Sequence, residues 1–422
     1  MMAAGSAVGL GNVWRFPFVA GRNGGAAFVI VYLAFLAILG FPLLVAELAV
    51  GRGAKSTLAD AMRKLSPAKY SKTWGRAGAI LASGCFVLMI YYTDVAGWLL
   101  GYTVDYARAA PPADPGAAFA AMTADAPRCT VFMLAAVGLA AAACAAGVAK
   151  GVERATKAMM IGLLLIVGAL AARSLALPGA KEGLAFYLKP DWASFMQHPG
   201  RAVFEAMGQA FFTLSLGIGS MTVCGSYIGK EHSLAKESVL IIAIDTAVAL
   251  LAGAVVFPAC ATYGIDYSSG PGLVFETLPK VFSMMPGGVF WGFLFFLFLS
   301  FAALTTVIAV FECLVAGIAD FTGLPRRASV ATVAAGVAAL SMPCILFDGV
   351  LAAEDFAVSQ VWLPAGALAI SFFVSSDRFG WGWKRFREEA SAGRGWPLPD
   401  RLRPLYRFAI PVLMAAIFIL GL

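Results

Sequence analysis

Gly5-Ser6-Ala7-Val8-Gly9-Leu10-Gly11-Asn12 is an odd string to find inside an apolar segment that runs from about residue 1 to residue 21. Glycine in a helix interior costs about 1 kcal/mol each, and this stretch holds three, with a serine and an asparagine beside them. A second apolar segment carries a similar interruption, Thr213-Leu214-Ser215-Leu216-Gly217-Ile218-Gly219-Ser220. One such segment alone would mean close packing of helices through small residues. Two of them, at corresponding places in two halves of the chain, point to a site near the membrane midplane between inverted repeats. Unwound backbone is tolerated in lipid only where its carbonyls and amides line a cavity and bind something. Carbonyl oxygens suit a hard cation such as Na⁺, and half-helix N-termini suit a carboxylate. A dinucleotide fingerprint fails here, because Gly9-x-Gly11 lacks the third glycine and no strand precedes it.

The rest of the sequence supplies the membrane. Of 422 residues 60% are hydrophobic and 13% charged, with a mean hydropathy of +0.83. Soluble domains carry about 25% charged residues, so this chain has too little polar surface to coat itself, and lipid must solvate much of it. A soluble enzyme, a nucleic-acid binder and a disordered chain are excluded, and no nucleophile–base pair or metal cluster suggests a membrane enzyme. The seven cysteines form no CxxC and sit mostly in apolar stretches, which reads as buried free thiols. No signal peptide is present.

Eleven apolar segments are long enough to cross, at about 20 residues per crossing: 1–21, 26–48, 77–107, 130–149, 155–177, 202–227, 236–263, 288–320, 328–346, 357–375 and 405–422. If the first starts in the cytoplasm, 22 of the 31 Lys and Arg residues fall in inside loops, chiefly 52–76 and 378–407. The net charge of +7 is therefore loop charge that orients the chain with its N-terminus inside, not a nucleic-acid surface. Among the few charges within apolar segments, Asp245 stands out. It lies mid-segment in Ile241-Ile242-Ala243-Ile244-Asp245-Thr246, where insertion costs about 2.5–3.5 kcal/mol and a functional role is the default.

These residues carry a family resemblance. Ala4 to Pro17 (Ala-Gly-Ser-Ala-Val-Gly-Leu-Gly-Asn-Val-Trp-Arg-Phe-Pro) closely resembles the first-helix signature of the neurotransmitter:sodium symporters, and Asn23-Gly24-Gly25 follows in place. Gln209 to Gly217 resembles the sixth-helix signature, and Tyr91-Tyr92, Gly151-Val152-Glu153-Arg154 and Ala302-Ala303-Leu304-Thr305-Thr306 extend the match over essentially the whole chain. The resemblance implies an all-α integral membrane fold of the LeuT type. That is a 5+5 inverted repeat in one transporter domain (1–422), with halves 1–177 and 202–375, broken helices one and six, and an eleventh helix at 405–422, as in the shorter bacterial members. A multi-pass protein of the bacterial inner membrane follows, with lipid, Na⁺ and an amino acid as partners, as monomer or homodimer, with no cofactor beyond about two sodium ions.

Carried over residue by residue, the resemblance implies a first sodium site from the Ala7 carbonyl, Asn12, Thr213 and Asp245, and a second from Gly5, Val8, Ala302, Thr305 and Thr306. The substrate carboxylate would meet the Leu10 and Gly11 amides and the Tyr92 hydroxyl. Its ammonium would meet carbonyls around Ala7, Phe212, Thr213 and Ser215. Leu88, Tyr92, Phe212, Ile218, Thr306 and Val310 would wall the side-chain pocket, and Ser6, which replaces an Asn of some relatives, would set its size. Monoamine transporters of the family carry Asp where this chain has Gly9. An amine needs that anion and an amino acid brings its own, so Gly9 and the uncharged pocket imply a neutral hydrophobic or aromatic L-amino acid. Asp245 replaces an Asn of chloride-dependent relatives and would supply the charge that chloride supplies there. Arg15 and Asp355 resemble an outer gate, Tyr227 and Asp320 two members of an inner one. The inner gate's usual partner is an arginine on a segment before helix one, and Met1 opens directly on that helix, which reads as a miscalled start or a weakened inner gate. Glu47 is expected to brace the first break; Asp94 and Glu312 have no clear assignment beyond packing polars. The rival readings are a sodium-independent exchanger, against which Asn12 and the Thr305-Thr306 pair count, and a non-transporting substrate sensor.

Overall fold

The computed structural model describes residues 2–265 and 272–421, so the expected ends of the first and last segments, Met1 and Leu422, lie outside the described residues. Helices account for the architecture, and no strand occurs among the described residues. The first apolar segment is interrupted as its glycines require: α1 (Met2–Ala7) stops, residues 8 and 9 leave the helix, and from Leu10 a wide turn at Gly11–Arg15 leads into α2 (Phe16–Arg22). There follow α3 (Ala26–Ala54), the short α4 (Leu58–Leu65), α5 (Ser71–Ala107), α6 (Ala126–Ala145) and α7 (Val148–Leu175). The second half opens with another broken helix, α8 (Pro199–Thr213) and α9 (Ser220–Ser226), with residues 214–219 between them. It continues through α10 (Leu234–Tyr263), α11 (Gly288–Thr322), α12 (Arg326–Leu346) and α13 (Val350–Ser375). A polar helix α14 (Trp383–Ala390) and the apolar α15 (Ile410–Gly421) close the chain.

Among the described residues, eight helical runs are long and apolar enough to cross a membrane. The pieces of the two broken helices and α15 are each shorter than that, so the count of eleven crossings stays a reading of the sequence. Burial sorts the helices. The most apolar window of α11 is 78% buried and that of α12 only 28%, so α11 is central and α12 peripheral. α5 packs along α11, and α1 lies against α11 as well. α6 and α7 turn Val131, Leu134, Leu139, Ile161 and Leu165 outward, an apolar surface that suits lipid as solvent.

Local chemistry sets the ends. Ser233 caps α10 by accepting the Lys236 amide, and Gly264, at φ +62°, ends it in the left-handed region. Asp125 caps α6 through the Arg128 amide. α4 buries Leu58, Ala61 and Met62 and turns Asp60, Arg63 and Lys64 the other way, as an amphipathic connector does. One boundary departs from expectation: α13 begins at Val350, not at residue 357, because Glu354 and Asp355 lie on helix and not in a loop. Six of the seven cysteines are buried, and no disulfide links them among the described residues.

Candidate functional site

The two breaks meet. Ser215, held at φ +49°, where few non-glycine residues sit, donates its hydroxyl to the Ser6 carbonyl at 3.3 Å. Gln209 of α8 donates to the Gly11 carbonyl at 2.8 Å. The Ser6 carbonyl at the first break is thus taken up by a side chain of the second, and the Gly11 carbonyl, which already accepts the Phe16 amide, gains a second donor.

Beside this junction lies an oxygen cluster. Asn12, Thr213 and Asp245, all buried, converge from the turn after α1, the end of α8 and the middle of α10. Asn12 Nδ2 donates to Asp245 Oδ1 at 2.7 Å and to the Asp245 carbonyl at 2.9 Å, and Thr213 Oγ1 donates to Asp245 Oδ2 at 2.9 Å. Asn12 Oδ1 accepts the freed Gly9 amide at 2.9 Å. Tyr32 of α3, fully buried, stands close to Thr213 and Asp245. It is a member that sequence reasoning missed, since nothing separates it from the other aromatics of its apolar run. An array of carboxylate, amide, hydroxyl and backbone oxygens is what a small hard cation binds.

A second oxygen group lies on the other side of α1. The Thr305 and Thr306 hydroxyls both stand near the Val8 carbonyl, at 3.3 and 3.4 Å, and near the Ala302 carbonyl, at 3.0 and 3.4 Å. Gly5 packs against Thr305 and Thr156, with just enough room for its missing side chain. The four oxygen donors assigned to a second sodium therefore come together, with Gly5 alongside.

Between the breaks is a narrow, tightly closed cavity of about 20 Å³, room for about one water, lined by Ser6, Ala7, Gly9, Gly11, Leu88, Tyr92, Phe212, Thr213, Ser215, Ile218, Thr306, Val358 and Leu363. No charged side chain lines it. The Leu10 amide donates to the Tyr92 hydroxyl at 3.0 Å, so Leu10 takes part through its backbone and not as wall. A Cβ at Gly9 would stand 2.6 Å from Thr306 Oγ1 and 2.8 Å from the Tyr92 hydroxyl, so any side chain there enters the site. Val310, one turn beyond Thr306, is buried but is not among the lining residues. Val358 and Leu363 of α13 take part in the lining instead; as plain apolar residues they gave no signal in the sequence.

The gates differ from expectation in detail. Arg15 lies over the Phe212 ring, 4.9 Å from its centroid, and forms no ion pair with Asp355 within 4.0 Å among the described contacts. Asp355 Oδ1 instead accepts the Tyr91 hydroxyl at 2.9 Å. At the end bearing the basic loops, Tyr227 and Asp320 are not brought together. Tyr227 donates to Glu312 Oε1 at 3.0 Å, and Glu312, wholly buried, holds Arg326 through two contacts of 2.6 and 3.0 Å. Asp320 accepts from the Thr57 hydroxyl and amide and from Ser56. Glu312 is thus the hub of an ion-pair cluster and not a packing polar. Its partner Arg326 looks, in sequence, like any basic loop residue. Glu47 braces a break, but the second one: its Oε1 accepts the Gly217 amide.

Two discontinuous helices meeting at an oxygen-lined cavity inside a membrane bundle define a secondary transporter. A model of the sodium:neurotransmitter symporter family matches residues 1–113 and 122–422. The chain is 36% identical over 389 residues to the uncharacterized sodium-dependent transporter YhdH of Bacillus subtilis, covering 89% of this chain and 85% of that one. It is 32% identical to an uncharacterized sodium-dependent transporter of Haemophilus influenzae, with 89% and 86% covered. Among solved structures, MhsT in complex with L-phenylalanine superposes with a TM-score of 0.89 at 35% identity, covering 100% of this chain and 97% of MhsT. This chain belongs to the sodium:neurotransmitter symporter family. It is a multi-pass membrane protein of a family of sodium-coupled transporters, not enzymes, and its fold is the LeuT type.

Proposed function

We propose that this protein is a symporter that imports a neutral, hydrophobic or aromatic L-amino acid with about two sodium ions, without needing chloride. The observation that carries the reading is the cavity between the breaks: it holds freed backbone groups and apolar walls, and no protein anion. A zwitterion brings the carboxylate that such a site lacks, and that carboxylate would face the Leu10–Gly11 backbone and Tyr92 while completing the shell around Asn12, Thr213 and Asp245. Gly9 leaves no room for an anchoring Asp. The likeness to MhsT, which was solved with L-phenylalanine, supports an aromatic or large apolar side chain as cargo.

Chloride independence rests on Asp245. Its carboxylate accepts from Asn12 and Thr213, and a fixed negative charge beside a sodium ion does what a bound chloride would do. In this reading sodium draws the two breaks together, substrate fills the cavity, α13 closes over it through Asp355, and the cluster around Glu312 and Arg326 parts to release cargo. The protein sits in a bacterial inner membrane with its N-terminus and basic loops in the cytoplasm. Uptake into proteoliposomes with gluconate replacing chloride tests the Asp245 argument: an unchanged rate is expected, and a large loss would sink it.

A further inference from the structure

At the end that bears the basic loops, α4, α5 and α11 form a groove of about 440 Å³. Its walls differ in chemistry. The α5 wall carries Lys72 and Arg76, four residues apart on one helix face and both exposed. Between them Gly75 lets the stem of Arg63, from α4, lie against α5: Arg63 Cβ is 3.3 Å from where a Gly75 Cβ would stand. The α11 wall is apolar. Open space stands over Gly317, and Phe321, one turn on, is 90% exposed.

The carboxylates of the groove are already engaged. Asp60 is held by Arg63 and by Lys64, the latter at 2.6 Å. Asp320 accepts from the Thr57 hydroxyl and amide and from Ser56. Lys72 and Arg76 take part in no ion pair among the described residues, so two cations face the groove without an anion of the protein.

Loop charge that only orients a chain needs no cavity to sit in. Here the free cations line a concave surface, and an apolar path leads away from it. The same face of α5 continues from Arg76 to Ile80, one turn further into the apolar segment and 66% exposed. Cations at the water boundary with apolar residues a turn deeper match the two halves of a phospholipid. A free phosphate would use the cations and leave Ile80 and Phe321 unexplained. We propose that the groove between α4, α5 and α11 binds an anionic phospholipid of the leaflet on this side of the membrane. Lys72 and Arg76 hold its phosphate, with Arg63 beside them, and its apolar part lies along Ile80 and Phe321. Arg supplies forked donors that match phosphate oxygens, and Lys a point charge.

The test is native mass spectrometry of the purified full-length protein in detergent, titrated with dioleoyl phosphatidylglycerol, phosphatidylcholine or phosphatidylethanolamine. The wild type should retain phosphatidylglycerol in preference to the other two, and added inorganic phosphate should not displace it. Lys72→Gln/Arg76→Gln should weaken phosphatidylglycerol binding roughly 30-fold, the equivalent of about 1 kcal/mol for each basic residue at an anionic surface. If that variant does not fold, Arg76→Gln alone should weaken it about fivefold. Lys384→Gln/Arg385→Gln removes the same charge from exposed positions of α14, outside the groove, and should bind as the wild type does. Equal retention of the three lipids, displacement by phosphate, unchanged binding in the groove variants, or an equal loss in the α14 variant would overturn the proposal. The readout needs no transported substrate, so its failure is distinct from failure of the amino-acid reading.

Discussion

At the scale of single residues, the account turns on one missing side chain and one extra charge. Gly9 is glycine because a Cβ there would press on Thr306 and Tyr92. Gly9→Ala should weaken substrate binding roughly tenfold or more, the equivalent of about 1–3 kcal/mol of overpacking. Equilibrium binding of radiolabelled amino acid measures this, and unchanged affinity would mean that the cavity is not the substrate site. Asp245→Asn removes the carboxylate that Asn12 and Thr213 contact. The variant should transport only when chloride is present, whereas wild type should be indifferent; uptake in chloride and gluconate buffers compares them. Both residues were legible in the sequence, Gly9 as a glycine in the wrong place and Asp245 as a charge in the wrong place. Tyr32, Val358 and Leu363 were not, because a residue that matches its apolar surroundings gives no local sign that it borders the site.

At the scale of elements, glycine and serine content located both helix breaks, since backbone that cannot stay helical in lipid must be bound by something. The ends of α13 were harder. Glu354 and Asp355 look like loop residues until the helix that carries them is seen to meet α5. Partners at the basic-loop end were also hidden, because Glu312 and Arg326 lie on different helices whose approach only the fold specifies. Arg326→Ala would strip Glu312, wholly buried, of its ion-pair partner. It should lower stability by about 3 kcal/mol, within the range for stripping one partner from a buried pair, read as a lower melting temperature in detergent. Beside this cluster, α4 is pinned by Asp60. Burial opposes its ionisation, but Lys64, Ser56 and Arg63 outweigh burial and hold the carboxyl down at about 2. A depressed carboxyl pKa stabilises the fold above the unfolded value near 4 and ceases to do so as pH falls through 2. The protection of α4 amides, relative to their intrinsic exchange rates at each pH, should therefore hold at pH 5 and fall between about pH 4 and 2, and Asp60→Asn should show the lower protection throughout.

At the scale of the whole molecule, composition alone placed the chain in lipid, and the bias of basic residues predicts an orientation with the N-terminus inside. The fold came from pairing two interruptions across two halves, a signal no single segment contains. Import of two sodium ions with a zwitterion moves two charges inward, worth about 4.6 kcal/mol at 100 mV. An inside-negative potassium diffusion potential should accordingly raise uptake, and indifference to it would argue against net charge movement. The central claim is sodium-driven transport of a neutral amino acid through the junction of the breaks. Its most direct test is uptake of radiolabelled L-phenylalanine into proteoliposomes under an inward sodium gradient, with choline as the control and other amino acids as competitors. The account predicts accumulation that requires sodium and is suppressed by neutral hydrophobic and aromatic amino acids; equal uptake in choline, or competition led by lysine or glutamate, would contradict it.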